Sequence, residues 1–123
     1  MPPNSRPDLI RRAICNGVLG QIEWGSACFD RFQNDPEMNP ILGRVKLLMR
    51  EHVCRDGNDP AAHRETDPDW LAEHPDNPWW YCILVPVPEF QQGLFIKMKL
   101  LWEEGDPEDD AFAQLISIHK GLS

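Results

Sequence analysis

The sequence lacks any segment able to carry it into or across a membrane. None of its apolar runs approaches the roughly 18 to 20 residues that a membrane-spanning helix needs. The N-terminus, MPPNSRPDLIRR, also lacks the apolar stretch of a secretory signal peptide. We therefore expect a soluble, cytoplasmic protein.

The familiar catalytic signatures are missing as well. The chain contains no GxSxG, no phosphate-binding GxxxxGK[ST], no GxGxxG, no HExxH and no internal repeat. Hydrolases of the α/β type, nucleoside triphosphatases, dinucleotide-binding enzymes and zinc proteases therefore lose their usual sequence marks. We expect no cofactor.

Cysteine is scarce and dispersed. The four cysteines, Cys15, Cys28, Cys54 and Cys82, form no CxxC pair, which excludes the spacing of zinc knuckles and thioredoxin-like sites. Each stands beside apolar residues, and no secretory signal points to an oxidising compartment. The pattern predicts buried free thiols, although the even count leaves a disulfide formally open.

A metal site is equally poorly supported. His63, Asp67, Asp69, His74 and Asp76 are residue types that bind divalent metals. Their spacing matches no ligand signature, and prolines separate them. We predict no metal.

Charge is abundant but uneven. Twelve Lys and Arg against twenty Asp and Glu give a formal net charge of -8. Residues 51–110 carry four basic and fifteen acidic side chains, whereas residues 1–50 are slightly basic. A nucleic-acid binder gains affinity from clustered Lys and Arg, so this balance argues against general nucleic-acid binding. It suits a soluble protein or one steered toward a basic partner.

The 123 residues, 41% of them hydrophobic, predict a single domain over residues 1–123. A short helix should start near Ser5–Pro7, a short strand at 21–24 and a second helix near Gly25. The clearest element is a helix from Pro40 to about Arg55. Its buried stripe should contain Ile41, Val45, Leu48 and Met49.

The final third predicts strands at about 80–87, 94–102 and 112–119, separated by turn-forming segments. Within the second of them Lys97 and Lys99 alternate with apolar residues and should project from the more solvated face. We expect an α+β fold, with two or three N-terminal helices packed on a three- to four-stranded antiparallel sheet. Residues 56–79 should form an acidic surface loop, with one helical turn beginning at Asp67–Pro68.

This acidic loop suggests a small protein-interaction module of the inhibitor or immunity type. Asp67, Asp69 and Asp76 would steer a basic protein partner, and Trp70 would anchor it. The oligomeric state is left open. On charge alone this is the preferred function.

An enzyme is the alternative. Lys97 and Lys99 with His119 could polarise a phosphodiester and move a proton, unless they only line a solvated sheet face. The order of short helices followed by an antiparallel sheet ending in LISIHKG resembles the small α+β toxins of the RelE type over about residues 20–120. That resemblance implies a ribonuclease in which Lys97, Lys99 and His119 take the basic and acid-base roles. With only two strand-borne lysines facing the acidic EEGDPEDD segment, charge alone predicts no such activity.

Overall fold

The computed structural model describes residues 4–16, 20–75 and 77–121 and contains one five-stranded sheet. Three helices pack on one face of the sheet, and a fourth lies over the other face. The helices are α1 (Pro7–Cys15), α2 (Ser26–Asn34), α3 (Val45–Arg50) and α4 (Pro68–Glu73). The strands are β1 (Ile22–Trp24), β2 (Ala61–Arg64), β3 (Trp79–Val87), β4 (Phe90–Leu101) and β5 (Phe112–Lys120). Within the described residues, none of the helices has the length and apolar character needed to cross a membrane.

The predicted α+β class is confirmed, but the sheet differs from the prediction. Its strand order is β1-β5-β4-β3-β2, and β1 pairs with β5 in parallel while the other neighbours are antiparallel. The prediction of three to four antiparallel strands therefore gave too few strands, and it did not include the parallel pair of β1 and β5. β2 escaped because its sequence, AAHR, shows no apolar alternation and becomes a strand by pairing with the first half of β3.

Strand β4 separates the two faces of the sheet. Ile96, Met98 and Leu100 are buried beneath the helices, whereas Lys97 and Lys99 point to the opposite side, which we call the outer face. The core combines these β4 residues with apolar side chains from the helices and from the other strands. Among them are Leu9, Ile10 and Ile14 of α1, Tyr81, Ile83 and Val85 of β3, and Ala113 and Leu115 of β5.

The helix predicted from Pro40 to Arg55 is not one regular α-helix. A 3-10 turn (Asn39–Arg44) precedes α3 and a π turn (Glu51–Arg55) follows it. Ile41, Val45 and Met49 are buried as predicted, but Leu48 is only half-buried. A 3-10 turn has fewer residues per turn than an α-helix, and a π turn has more. A buried stripe predicted with a constant 3.6 residues per turn therefore places Leu48 too deeply.

The β3–β4 hairpin follows the sequence closely. Pro86, which cannot donate to a ladder, lies at an irregularity between Val85 and Val87, beyond the part of β3 that β2 covers. Gly93 has a φ of +73°, and a Cβ there would meet the Val85 carbonyl oxygen at 2.7 Å. Glycine is required at this position because L side chains rarely adopt that backbone conformation.

The predicted acidic loop at 56–79 contains both β2 and α4. Helix α4 begins at Pro68, and the Asp67 side chain accepts a hydrogen bond of 2.9 Å from the Asp69 backbone N–H as its N-cap. The Glu65 backbone N–H donates to the Pro78 carbonyl at 2.7 Å, which brings the two ends of the α4 segment together. The segment therefore leaves the sheet after β2 and returns to it beside the point of departure, before β3.

The expectation of four free thiols is wrong for two of them. Cys15 at the end of α1 and Cys54 in the π turn form a disulfide with a Cα separation of 5.8 Å, while Cys28 and Cys82 are free and buried. Their 39-residue sequence separation hides the pairing, which arises because α1 packs against the π turn. A Cα separation in this range permits the bond.

We predict that protein purified without reductant will expose two titratable thiols in denaturant, those of Cys28 and Cys82. Reduction should lower the free energy of unfolding by about 3 to 4 kcal/mol, because the cross-link constrains a long loop of the unfolded chain. Thermal unfolding with and without reductant measures this. The double variant Cys15→Ser/Cys54→Ser is the control and should not respond to reductant. Four titratable thiols in the wild type would contradict the pairing.

Candidate functional site

The outer face of the sheet collects the polar and aromatic side chains that the core excludes. In the strand register Cys82, Lys97 and Ser117 lie opposite one another on β3, β4 and β5. Lys99 lies opposite Gln114, and His119 lies opposite Phe95. The lysines and His119 that the sequence proposed together therefore do share one face, on two adjacent strands.

Lys97 occupies an aromatic and acidic environment. Its ammonium nitrogen lies 4.9 Å from the ring centroid of Trp70 and 4.5 Å from that of Trp80, within the range of cation–π attraction. The Glu65 carboxylate is 3.5 Å away, and the two side chains are only 24% and 17% exposed. The backbone N–H of Asp67, and to a smaller extent that of Thr66, hydrogen-bonds to the Glu65 carboxylate and holds its pKa below the usual value against the opposing effect of burial; Lys97 adds a smaller contribution.

Lys99 forms the second polar contact. Its Nζ lies 2.6 Å from Nδ1 of His74, whose ring packs on Trp70 with centroids 4.3 Å apart. Burial lowers the pKa of His74, and the charge of Lys99 lowers it further; burial also lowers the pKa of Lys99. With His74 neutral, the Lys99 ammonium donates to Nδ1, and the ring proton is then on Nε2.

His119 has a defined ring orientation without being covered. Its Nδ1 lies 2.8 Å from the Lys120 carbonyl oxygen, and its ring stacks on Phe95 with centroids 5.1 Å apart. Because a carbonyl only accepts, Nδ1 carries the proton and Nε2 holds the lone pair of the neutral ring. The side chain is exposed, so this nitrogen is available to a ligand on the outer face.

The residues proposed to bind a partner are placed differently. Asp67 and Asp69 are exposed, and Asp67 also caps α4. Trp70 is half-buried and packs inward on Lys97 and His74. Asp76 lies outside the described residues.

Two acids of the EEGDPEDD segment that the sequence set against the lysines are paired elsewhere. Glu108 pairs with Arg6 at 2.7 Å, and Asp109 pairs with Arg12 at 3.3 Å. These arginines precede or belong to α1, which packs on the core face, so the two acids face away from the outer face. Asp59 similarly pairs with Arg11 at 2.5 Å.

The metal-type residues of this segment are engaged in other contacts. His63 stacks on Trp80 with ring centroids 4.5 Å apart, and His74 contacts Lys99. Over residues 4–16, 20–75 and 77–121 no group of three or more His, Cys, Asp or Glu side chains is positioned to hold a metal ion.

Sequence reasoning considered His74 only as a metal-type residue and did not connect Glu65, His74 or Trp80 with the lysines. Each lies in or next to the segment judged to be a surface loop, and their contacts with β4 depend on how α4 folds back. The one available signal was compositional, since His74 and Trp80 flank a proline-rich stretch that precedes the sheet.

We predict that the pKa of His74 lies below its usual 6.5 and rises in Lys99→Met, because that substitution removes a neighbouring positive charge. The unfolded state then binds a proton more readily than the folded one, so stability falls as pH drops from 6.5 through the folded-state pKa. NMR titration of the imidazole measures the shift, and Lys46→Met is the charge-matched control. A wild-type pKa at or above 6.5 would contradict the arrangement.

Comparison with known proteins adds no assignment: the chain matches no family model, no curated protein and no solved structure. The chemistry of the outer face is what remains to indicate a function.

Proposed function

We propose that this chain is a ribonuclease whose active site is the outer face of the sheet, in the manner that the resemblance to RelE-type toxins implies. The observation that carries the proposal is the shared placement of Lys97, Lys99 and His119 on one face of β4 and β5. Cations next to a histidine with a free ring nitrogen can stabilise the charge that develops on a phosphodiester during cleavage and can move its protons.

The roles follow from the contacts of each group. The exposed Nε2 of His119 is the general base, because its Nδ1 proton is directed to the Lys120 carbonyl. Lys97 lies two positions along β4 from Phe95, the strand partner of His119, and is the general acid. Lys99, four positions along β4 from Phe95, supplies positive charge to the non-bridging phosphate oxygens once His74 has released its ammonium.

The reaction needs no external reactant. His119 takes the proton of a ribose 2′-hydroxyl, and the 2′-oxygen forms a bond to phosphorus while the bond from phosphorus to the 5′-oxygen breaks. Lys97 gives its proton to that 5′-oxygen. The products are a 2′,3′-cyclic phosphate and a 5′-hydroxyl, with one proton taken up and one released by the protein.

Apart from Glu65, local charge opposes this function less than the net charge of -8 suggests. Glu108 and Asp109 pair with arginines on the helical side, so they do not face a strand approaching the lysines. Trp80 and the stacked His63 offer aromatic surface beside the cations. Aromatic rings next to positive charge suit a single-stranded nucleic acid, whose bases stack while its phosphates pair.

We expect purified protein to cleave single-stranded RNA, alone or on ribosomes, and His119→Ala to lower the rate about a hundredfold or more, the scale of a lost general base. Lys97→Ala should lower it by about a hundredfold or more through loss of the general acid, and Lys99→Ala by at least about tenfold through loss of charge at the phosphate. Product ends identified by mass spectrometry should carry the cyclic phosphate.

Lys46→Ala is the matched control, because it removes the same charge from α3 on the opposite side of the sheet. Thermal unfolding of all variants separates lost chemistry from lost fold. Cleavage that survives the three outer-face substitutions, or its absence from wild type under both conditions, would overturn the proposal.

A second candidate is the protein-interaction module, favoured by the outward surface of α4. Asp67, Asp69 and Glu73 are exposed there, and Leu71 is 37% exposed beside them. A basic partner would be steered by these acids and would contact Leu71. Trp70 would support this surface from the side of α4 that faces the sheet, where its ring packs on Lys97.

If α4 binds a basic protein, affinity capture from the source organism at low salt should retain that protein, and raised salt should release it. Asp69→Lys should lower capture severalfold. Asp30→Lys, which makes the same charge change at an exposed position of α2, should leave it unchanged. Equal capture by both variants would exclude α4 as the binding surface.

A further inference from the structure

We propose that residues 65–75 form a cover that occupies the two lysines of the outer face and must open before a phosphate can reach them. The inference rests on the proposed function for its biological meaning and on the contacts of the cover for its geometry. It concerns regulation of the site: substrate reaches the lysines only in molecules whose cover is open, so the cover lowers the cleavage rate of the wild-type chain.

The cover contacts the same groups that a substrate would need. Glu65 places a carboxylate 3.5 Å from Lys97, and Trp70 places its ring 4.9 Å from the same ammonium. His74 accepts from Lys99 at 2.6 Å. A phosphate between the lysines would have to replace a carboxylate, an aromatic face and an imidazole.

The cover is built to move as a unit. The hydrogen bond from the Glu65 N–H to the Pro78 carbonyl joins its base to the sheet side, so opening need not disturb β2 or β3. Helix α4 has six residues and no buried one. A helix this short is marginal by itself and depends on its cap and on packing, here the Asp67 cap and the inward Trp70.

The closed position also carries an unmet polar group. The indole N–H of Trp70 is buried and has no acceptor within the described part of the chain. A buried donor without a partner disfavours the conformation that buries it. Opening exposes this N–H to water, so the closed state is held by the contacts with Lys97 and Lys99 against a standing penalty.

The Asp67 cap allows the cover to be loosened without touching the outer face. Asp67→Ala removes the side-chain acceptor, whereas Asp67→Asn keeps an acceptor and removes the same charge. Site-resolved acetylation of lysines, quantified by mass spectrometry with Lys46 as internal reference, reports access to Lys97 and Lys99. We expect both lysines to react about fivefold faster in Asp67→Ala than in Asp67→Asn.

If each lysine were acetylated at the same rate in Asp67→Ala as in Asp67→Asn, the proposal of a cover would be overturned. A second test uses hydrogen exchange with a single-stranded DNA oligonucleotide, which lacks the attacking 2′-hydroxyl and is not cleaved. Slower exchange of the α4 amides with the oligonucleotide bound would also overturn the proposal, because it would mean that the segment closes on the ligand. The expected result is faster exchange of α4 amides when the oligonucleotide is bound.

RNA cleavage by the same variants separates this inference from the proposed function. Faster acetylation with faster cleavage in Asp67→Ala supports both. Faster acetylation with no cleavage in any variant leaves the cover in place and removes the ribonuclease. Cleavage without a difference in acetylation keeps the ribonuclease and removes the cover.

Discussion

The two-faced alternation of β4 is the constraint on which the remaining structure depends. Successive side chains of a strand point to opposite faces, so burying Ile96, Met98 and Leu100 forces Lys97 and Lys99 onto the outer face. A shift of one residue in register would bury both ammonium groups without partners, which the free energy of folding does not tolerate. The core and the candidate site are therefore fixed by the same register.

The outer face concentrates charge in a partly dry environment, which gives it chemical character. Lys99 and His74 both have lowered pKa values because burial disfavours their charged forms. Lys97 is instead held between two tryptophan rings and a carboxylate. Perturbed pKa values cluster at functional sites, and here the groups that have them share a face with a histidine that has a free ring nitrogen.

The acidic middle of the chain is more structural than its composition indicates. Asp59 pairs with Arg11, Glu65 with Lys97, and Asp67 caps α4. Glu108 bridges to Arg6. The net charge of -8 thus does not describe the surface that a ligand meets, because several acids form ion pairs or a helix cap within the chain. Partners inferred from total charge and partners inferred from the outer face differ for this reason.

The sequence by itself determined the α+β class, the three long strands, the start of α4 at Asp67–Pro68 and the common face of Lys97 and Lys99, because period-two alternation, proline and helix caps act locally. Only the tertiary structure decided the disulfide between Cys15 and Cys54, the strand β2, the parallel partner of β5 and the closure of Glu65, Trp70 and His74 over the lysines. Each of these joins residues far apart along the chain or without a pattern of their own, and such contacts exist only once packing brings them together.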